Sequence, residues 1–393
     1  MHYNFDEIID RENTDCVKYD LRRQVFRNES VIPMWVADTD FRTPDFIMDA
    51  LYERMEHEVF GYGIIPPSFY ESIVNWNHRR HSWSIKPAWI SFAPGVVPAL
   101  SLLILSFTQP GEGILIQPPV YFPFFSVIKN HNRKLIENPL ICNDDGTYSM
   151  DFVDLESKLR EVRMMFLCSP HNPTGNVWSA EILRKVGELC LKHNVLLISD
   201  EIHSDLILPG FKHIPAAMIS DEIADNTITC MAPSKTFNLA GMSTAFLVTS
   251  NTRLRKRYEE VLDQVHVGSG NILGFIATEA AYNKGDEWLE QLMDYIAGNL
   301  KYLVEFVSAR IPGIRVVVPQ ATYLVWLDCR GLNMPHDQLK HFMIENAGLG
   351  LNEGLMFGRE GEGFHRINIG CPRQILQTAL HKLELAVVKY FEK

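Results

Sequence analysis

The chain has 393 residues, of which 46% are hydrophobic and 22% charged, so it can form a large core and is not expected to be disordered. Its formal net charge of -11 argues against nucleic acid as a main partner, because phosphate binding needs a basic surface. No apolar run reaches the roughly 18 residues of a membrane span, and no signal peptide is recognised. The seven cysteines are scattered without a C-x-x-C pair, which indicates reduced thiols in a cytoplasmic protein.

The first part of the chain predicts an N-terminal arm followed by an α/β pattern. Residues 1–45 show little helical periodicity, and a strand, a glycine turn and an apolar helix follow between residues 90 and 105. Further short apolar strands alternate with helices or longer crossovers. We predict strands at 114–116, 164–168, 195–199, 227–231 and 245–249, and helices at 151–162 and 179–193. This alternation predicts an α/β fold with a mainly parallel sheet covered by helices on both faces.

The C-terminal part mixes strands and helices, which predicts a smaller α+β domain. We expect helices at 271–283, 286–310, 336–346 and 373–391, and strands at 314–318, 323–327 and 365–369. The predicted domains are therefore the arm with part of the small domain at 1–45, a large domain at 46–285 and the rest of the small domain at 286–393. The glycine-rich stretch 358–363 lacks a strand-to-helix context, so we interpret it as a flexible turn and not as a nucleotide loop.

Three predicted strands end in groups that can act together. Lys235 comes just after an apolar run, Asp200 ends a second one, and Asn172 lies in a Pro- and Gly-rich turn after a third. A lysine at a strand end can be desolvated enough to free its amine for a Schiff base, although a single lysine is more often a solvated surface residue. An amine, a carboxylate and an amide are the groups that pyridoxal phosphate needs for its aldehyde, its ring nitrogen and its ring oxygen.

These motifs, in this order and spacing, resemble the fold-type I pyridoxal phosphate enzymes of the aspartate aminotransferase superfamily. The resemblance rests on Asn172-Pro173-x-Gly175, Asp200-Glu201-x-His203 and Ser234-Lys235. Further stretches are similar to the branch of cysteine and cystathionine β-lyases known as the MalY/PatB C-S lyases. They are residues 33–38, 61–62, 118–121 and 234–238. The resemblance covers nearly the whole chain.

The resemblance implies roles for further residues. It implies that Lys235 is the covalent catalyst, that Tyr121 stacks on the pyridine ring, and that Arg366 binds the substrate α-carboxylate in a bidentate manner. It also implies a homodimer in which Tyr62 reaches the cofactor phosphate of the other subunit, and a substrate entrance lined by residues 35–38, including Trp35 and Asp38. The alternatives are a core tyrosine at 121, an exposed aromatic at 62 and a plain edge strand at 35–38.

The phosphate site is predicted from a helix N-terminus. The backbone of Gly95, Val96 and Val97 begins the helix after a glycine turn, where unpaired N–H groups favour an anion, and Ser234 adds a hydroxyl. Two positions depart from the superfamily pattern. Many aminotransferases carry an arginine eight residues after the lysine, where this chain has Ser243, and Ala232 stands where Ser or Gly is usual.

The missing arginine favours the lyase branch over the transaminases. The implied reaction is a β-elimination in which Lys235 removes the Cα proton, Asp200 keeps the ring nitrogen protonated, and a thiolate leaves to give pyruvate, ammonia and a thiol. His203 stands where many relatives have a tyrosine, so its role is open. The alternatives are an aminotransferase on the same scaffold and a cofactor-loaded regulator that binds another protein. We expect no metal site and no Ser-His-Asp hydrolase, because neither spacing is present.

Overall fold

A computed structural model describes residues 2–144 and 146–392. Its α-helices are α1 Val17–Asp20, α2 Arg22–Phe26, α3 Asp45–Met55, α4 Pro67–His81, α5 Val96–Phe107, α6 Pro123–Asn130, α7 Phe152–Leu159, α8 Ala180–Lys192, α9 Asp221–Asp225, α10 Thr252–Gln264, α11 Ile272–Lys284, α12 Asp286–Arg310, α13 His336–His341 and α14 Arg373–Phe391. Its strands are β1 Ile32–Pro33, β2 Ile90–Ala93, β3 Gly113–Ile116, β4 Lys134–Glu137, β5 Leu140–Cys142, β6 Tyr148–Met150, β7 Val162–Cys168, β8 Leu196–Asp200, β9 Thr227–Met231, β10 Ala245–Val248, β11 Arg315–Val317, β12 Leu324–Asp328, β13 Leu349–Gly350, β14 Asn352–Glu353 and β15 Phe364–Asn368.

The larger sheet confirms the predicted α/β fold. Within the described residues its seven strands lie in the order β2-β10-β9-β8-β7-β3-β4, and β10 alone runs in the direction opposite to the other six. Strands β7, β8 and β9 are buried along nearly their whole length, because helices cover both faces of the sheet. In the register of these three strands, Asp200 lies opposite Cys168 on one side and Cys230 on the other. Their carboxyl ends therefore meet at one edge.

Helix α8 shows how local sequence directs the packing of the large sheet. Ser179 is its N-cap, and the side-chain oxygen of Ser179 accepts a hydrogen bond from the backbone N–H of Ile182. Leu183, Val186 and Cys190 recur at helical spacing and are buried. The predicted helix at 179–193 is confirmed as Ala180–Lys192.

The smaller sheet is antiparallel and lies in the C-terminal part. Its order is β11-β12-β15-β14 within the described chain, and the long helix α12 contacts β11 and α14. The predicted helix at 336–346 is α13 followed by a π-helical turn, Phe342–Asn346. One large hydrophobic cluster includes residues of both sheets, so the two parts share a core.

The N-terminal arm packs on the C-terminal part. Strand β1 pairs in parallel with β13, and only Ile32–Pro33 of the arm is in a strand, so residues 35–38 are not the edge strand considered above. The domain boundaries at 45 and 285 stay a prediction. No helix among residues 2–144 and 146–392 combines the length and the apolar character needed to cross a membrane.

Candidate active site

The predicted residues of three strand ends line one cavity. It encloses about 250 Å³ at the carboxyl edge of β7, β8 and β9. Its lining consists of Ala37, Pro94, Gly95, Val96, Val97, Pro98, Tyr121, Cys168, Asn172, Asp200, Ile202, His203, Ser234, Lys235, Ala240, Ser243 and Thr244. The structure thus brings together nine of the residues that the sequence analysis singled out for the cofactor, and Ser243 with them.

Lys235 lies just after β9 and directs its amine into the cavity wall. Its Nζ donates a hydrogen bond to the carbonyl oxygen of Ala37 at 2.7 Å. Loss of water around the amine, together with the nearby Arg366 guanidinium, lowers the pKa of Lys235 to about 8, although Asp38 and Asp200 act in the opposite direction. A lysine of this kind is neutral over a much larger fraction of molecules near neutral pH than an exposed lysine is.

Asp200 ends β8 inside the same cavity. Burial raises the pKa of its carboxyl to about 7, although its Oδ1 accepts a hydrogen bond from the backbone N–H of Ile202 at 3.2 Å. Within the described chain, no salt bridge to Asp200 is present. A buried carboxylate without a cationic partner is stabilised strongly when a cationic N–H group donates a hydrogen bond to it. The site therefore fits a protonated pyridine ring.

Asn172 and Arg366 form a hydrogen-bonded pair behind the cavity. Arg366, on β15, donates from Nη1 to Asn172 Oδ1 at 2.9 Å, and from Nη2 to Asn352 Oδ1 at 2.6 Å and the Trp35 carbonyl at 2.8 Å. Burial lowers the pKa of Arg366 to about 10. In the described structure its Nε is buried without a hydrogen-bond partner, which leaves a donor for a further anion.

Tyr121 and His203 complete the polar lining. Burial raises the pKa of the Tyr121 hydroxyl to about 12, so it stays protonated at neutral pH. Burial, with Lys235 and Arg366 nearby, lowers the pKa of His203 to about 3, so its imidazole is neutral. Its Nδ1 is buried and has no hydrogen-bond partner in the part of the chain that the structure describes. The sequence left the role of His203 open, and the structure adds a neutral ring with a free nitrogen.

The opposite end of the cavity begins at helix α5. Gly95 is the N-cap and has a φ of 149°, a conformation that glycine adopts readily and other residues rarely adopt. Its carbonyl accepts a hydrogen bond from the Ala99 N–H. The first N–H groups of a helix have no partner within it, so those of Val96 and Val97 are free for an anion. Ser234, Ser243 and Thr244 supply hydroxyls in the same lining.

Besides Arg366, which lies behind the cavity, three predicted site residues do not present their side chains to it. Trp35 donates from Nε1 to the carbonyl of Lys18 at 3.0 Å, and only its own carbonyl contacts Arg366. The Asp38 carboxylate forms an ion pair with Arg11 at 2.7 Å. Tyr62 is fully exposed in the single chain. Their predicted roles at the substrate entrance and across a dimer stay predictions.

The sequence analysis missed residues that act through long-range contacts. Ala37 holds the amine of Lys235, Asn352 holds Arg366, and the Tyr323 hydroxyl donates to the Ala37 carbonyl at 3.2 Å. Ala37 lies in the quoted stretch 33–38, but its contact with Lys235 was not predicted, and Asn352 and Tyr323 belong to no quoted motif. Asn238, three residues after the lysine, also stood in a quoted motif, and it forms hydrogen bonds with the backbone of Thr39 in the arm. No group of three or more metal-ligating side chains is found in the described residues.

Comparison with known proteins agrees with this geometry. The sequence model of the family "Aminotransferase class I and II" matches residues 30–383. The cystathionine beta-lyase PatB of Bacillus subtilis (strain 168) is 42% identical over 386 residues, which are 98% of this chain and 100% of that protein. Protein MalY of Escherichia coli (strain K12) is 33% identical over 389 residues, or 98% and 99% of the two chains.

Solved structures show the same likeness. Cystalysin from Treponema denticola, which contains a pyridoxal 5'-phosphate cofactor, superposes with a TM-score of 0.96 at 36% identity and covers 99% of this chain and 100% of its own. The pyridoxal phosphate-bound C-S lyase from Staphylococcus hominis has a TM-score of 0.91 at 34% identity, with 99% of both chains covered. The resemblance stated from the sequence is confirmed, and the chain belongs to the aminotransferase class I and II family.

Proposed function

We propose that this protein is a pyridoxal phosphate-dependent carbon–sulfur β-lyase. It cleaves cystathionine or a related cysteine S-conjugate by α,β-elimination to pyruvate, ammonia and a thiol, which is homocysteine in the case of cystathionine. The observation that carries the proposal is one cavity with a lysine whose pKa is lowered to about 8 and a buried carboxyl, backed by a guanidinium with a free Nε. The named relatives PatB and C-S lyase support the choice of reaction.

The residues of the cavity fit the cofactor at each end. Pyridoxal phosphate, when bound, supplies a carbonyl that condenses with amines and a ring that accepts the electrons of a Cα–H bond. Lys235 would hold its aldehyde carbon, Asp200 its ring nitrogen and Asn172 its ring oxygen. The neutral His203 is a second candidate for the ring oxygen. Further contacts would come from Tyr121 at the ring face and from Gly95, Val96, Val97 and Ser234 at the phosphate.

Substrate binding is assigned to Arg366. A guanidinium fork matches a carboxylate in geometry and charge, and the fork is already oriented by Asn172, Asn352 and the Trp35 carbonyl. Burial of Arg366 strengthens its attraction for an anion, because water does not compete for the donors. We assign the substrate entrance to the arm residues around Trp35 and Asp38.

Proton transfer is assigned to Lys235. With a pKa of about 8, its amine is neutral in a substantial fraction of molecules at neutral pH, so it can accept the proton from the substrate Cα. The carbon–sulfur bond then breaks and the sulfur leaves as a thiolate. Tyr121 keeps its proton at neutral pH, and we include it in the catalytic set beside Lys235 and Asp200.

The second candidate is an aminotransferase, which the matched family model favours by its description. Ser243 argues for the lyase, because a serine at this position removes the cation that many aminotransferases of the superfamily use for the phosphate. The two activities differ in their need for an amino-group acceptor. An elimination needs no 2-oxo acid, whereas a transamination requires one as the amino-group acceptor.

We further propose a cytoplasmic homodimer. The loop before α4 exposes Tyr62 completely and Ile64 by 80%, and an exposed apolar loop of this kind is typical of an interface. Tyr62 would then reach the cofactor phosphate of the other subunit. Free cysteines throughout the described chain, five of them buried, agree with a reducing compartment. Residues 46–285 would form the large domain, and residues 286–393 with the arm the small one.

The test is product partition. The purified protein with pyridoxal phosphate and L-cystathionine is assayed for pyruvate and homocysteine with and without 2-oxoglutarate. We expect equal amounts of both products without the oxo acid, and none from Lys235→Ala. Lys212→Ala, which removes an exposed lysine, is the matched control and should keep full activity. Glutamate formed only with 2-oxoglutarate would identify the aminotransferase, and activity that survives in Lys235→Ala would refute both.

A further inference from the structure

Residues 35–39 of the arm form a strap whose backbone carbonyls are all used by side chains of the site. Arg366 donates to the Trp35 carbonyl at 2.8 Å, and Lys235 donates to the Ala37 carbonyl at 2.7 Å. Both hydrogens of the Asn368 amide are used, one on the Val36 carbonyl and one on the Asp38 carbonyl, each at 2.6 Å. Asn238 donates to the Thr39 carbonyl at 2.9 Å.

The donors come from both parts of the molecule. Asn238 follows Lys235 in the loop after β9, and Asn368 follows Arg366 at the end of β15. Asn238 also accepts a hydrogen bond from the Thr39 N–H at 3.1 Å, so it fixes both sides of that residue's backbone. The strap therefore connects the loop of the catalytic lysine with the strand of the carboxylate-binding arginine.

The side of the strap away from the cavity is held by charge. Asp38 and Asp40 pair with Arg11 at 2.7 and 2.6 Å, and the buried Lys18 pairs with Asp40 at 2.7 Å. Arg11 Nη1 also donates to the Thr39 carbonyl at 3.1 Å, so the ion pairs and this hydrogen bond together hold the strap on the side of Arg11. This arrangement explains why the Asp38 side chain does not line the cavity.

We propose that Asn238 and Asn368 are positioning residues for the reaction, a proposal that rests on the proposed lyase function. Asn368 fixes the carbonyls of the two residues that flank Ala37, so that the Ala37 carbonyl holds the amine of Lys235 whenever that amine is free. Asn238 anchors the far end of the strap to the lysine loop. The same strap sets the Arg366 fork through the Trp35 carbonyl. Neither asparagine touches the reacting atoms.

The experiment compares Asn368→Ala and Asn238→Ala with a matched control, Asn299→Ala. Like Asn368, Asn299 is a fully buried asparagine that donates to two carbonyls, those of Ile369 and Cys371, but within the described residues it forms no hydrogen bond with the strap. The values of kcat and KM for L-cystathionine are measured separately. We expect both strap variants to lose about tenfold to a hundredfold in kcat/KM, with a higher KM, because small misplacements of reacting groups have effects of this size.

A second readout uses the cofactor-free protein and does not depend on activity. Lys235 is labelled with acetic anhydride at a series of pH values, and the modified peptide is quantified by mass spectrometry. The charged and titratable groups that face its amine are Asp200, Arg366, Asp38 and His203, and these are unchanged in the variants. We expect the half-labelling pH to shift upward in Asn368→Ala and Asn238→Ala, since a loosened strap admits water to the amine.

The outcomes separate the two proposals. Unchanged half-labelling pH and kcat/KM in the strap variants, or equal changes in Asn299→Ala, would overturn the positioning role. Absence of lyase activity in the wild type would refute the proposed function, while the labelling readout would still test the strap. Asn368→Ser, which keeps a shorter donor, replaces the alanine variant if that variant does not fold, with the same expected direction of shift.

Discussion

Lys235 has a pKa of about 8 because its amine is shielded from water and faces the Arg366 guanidinium. The cofactor-free protein should therefore combine with pyridoxal phosphate faster as the pH rises through about 8, and the rate should level off above it, since the neutral amine is the reacting form. Recombination is followed by absorbance. Arg366→Leu removes a neighbouring cation, so its midpoint should move upward. A wild-type midpoint near 10.5, the ordinary lysine value, would contradict the prediction.

A second residue-scale feature lies behind the lysine. Asp205 is buried and accepts hydrogen bonds from Thr236 Oγ1 at 2.9 Å, Trp76 Nε1 at 3.1 Å and His81 Nε2 at 3.0 Å. Removal of the carboxylate leaves these groups without their partner, so Asp205→Ala should lower the free energy of unfolding by about 3 to 5 kcal/mol. Chemical denaturation at neutral pH measures the loss. Glu156→Ala, which removes a half-buried carboxylate that contacts the exposed Lys192, should cost far less.

The pH dependence of this contribution has a definite sign. The pKa of Asp205 is lowered in the folded protein, with His81 and Thr236 among the causes, so the carboxylate stabilises the fold above its unfolded pKa of about 3.9. That stability is lost as the pH falls through the folded pKa. The difference in unfolding free energy between the wild type and Asp205→Asn should therefore be constant near neutral pH and shrink only in strong acid. A difference that shrinks already near neutral pH would exclude Asp205 as its source.

At the scale of elements, the phosphate site is predicted at the N-terminus of helix α5 and the turn before it. Gly95→Ala adds a Cβ that meets Pro98 Cδ at 3.3 Å in a backbone conformation disfavoured for alanine. We expect the dissociation constant for pyridoxal phosphate to rise about tenfold or more, as for the loss of one hydrogen bond to a charged group. A fluorescence titration measures it. Gly111→Ala also has a positive φ but adds its Cβ in open space far from the cavity, so it should affect stability alone. If Gly95→Ala and Gly111→Ala bound pyridoxal phosphate with equal affinity, the predicted phosphate site at helix α5 would be wrong.

The strands that carry the site were predictable, and their cross-contacts were not. The predicted carboxyl ends of β7, β8 and β9 agree with the structure to within one residue, because buried strands appear as short apolar runs that end in polar residues. This placed Asn172, Asp200 and Lys235 at one edge of the sheet. The contact of Lys235 with Ala37 joins residues 198 apart in the chain, and side-chain directions at that distance follow from the packing and not from a pattern.

At the scale of the whole molecule, the arm and the exposed loop have different relations to the cavity. The arm closes over it within one chain, as the strap contacts show. The loop with Tyr62 stands free in the single chain, which fits a residue that acts on a second copy. The first arrangement predicts that Lys235, Asp200 and Arg366 must belong to the same chain in an active site. The second predicts that Tyr62 must come from the other chain.

Mixed dimers test this difference. When Tyr62→Ala and Lys235→Ala chains are co-expressed, half of the dimers formed by random pairing are mixed, and each has one site with both residues intact. Lyase activity at limiting pyridoxal phosphate should then recover to about a quarter of the wild-type value. The matched control pairs Lys235→Ala with Asp200→Ala, whose mixed dimers contain no intact site because both residues belong to one chain, and it should stay inactive. No recovery in the Tyr62 mixture would show that the loop does not act across a dimer, and recovery in the control would contradict the placement of Lys235 and Asp200 in one chain.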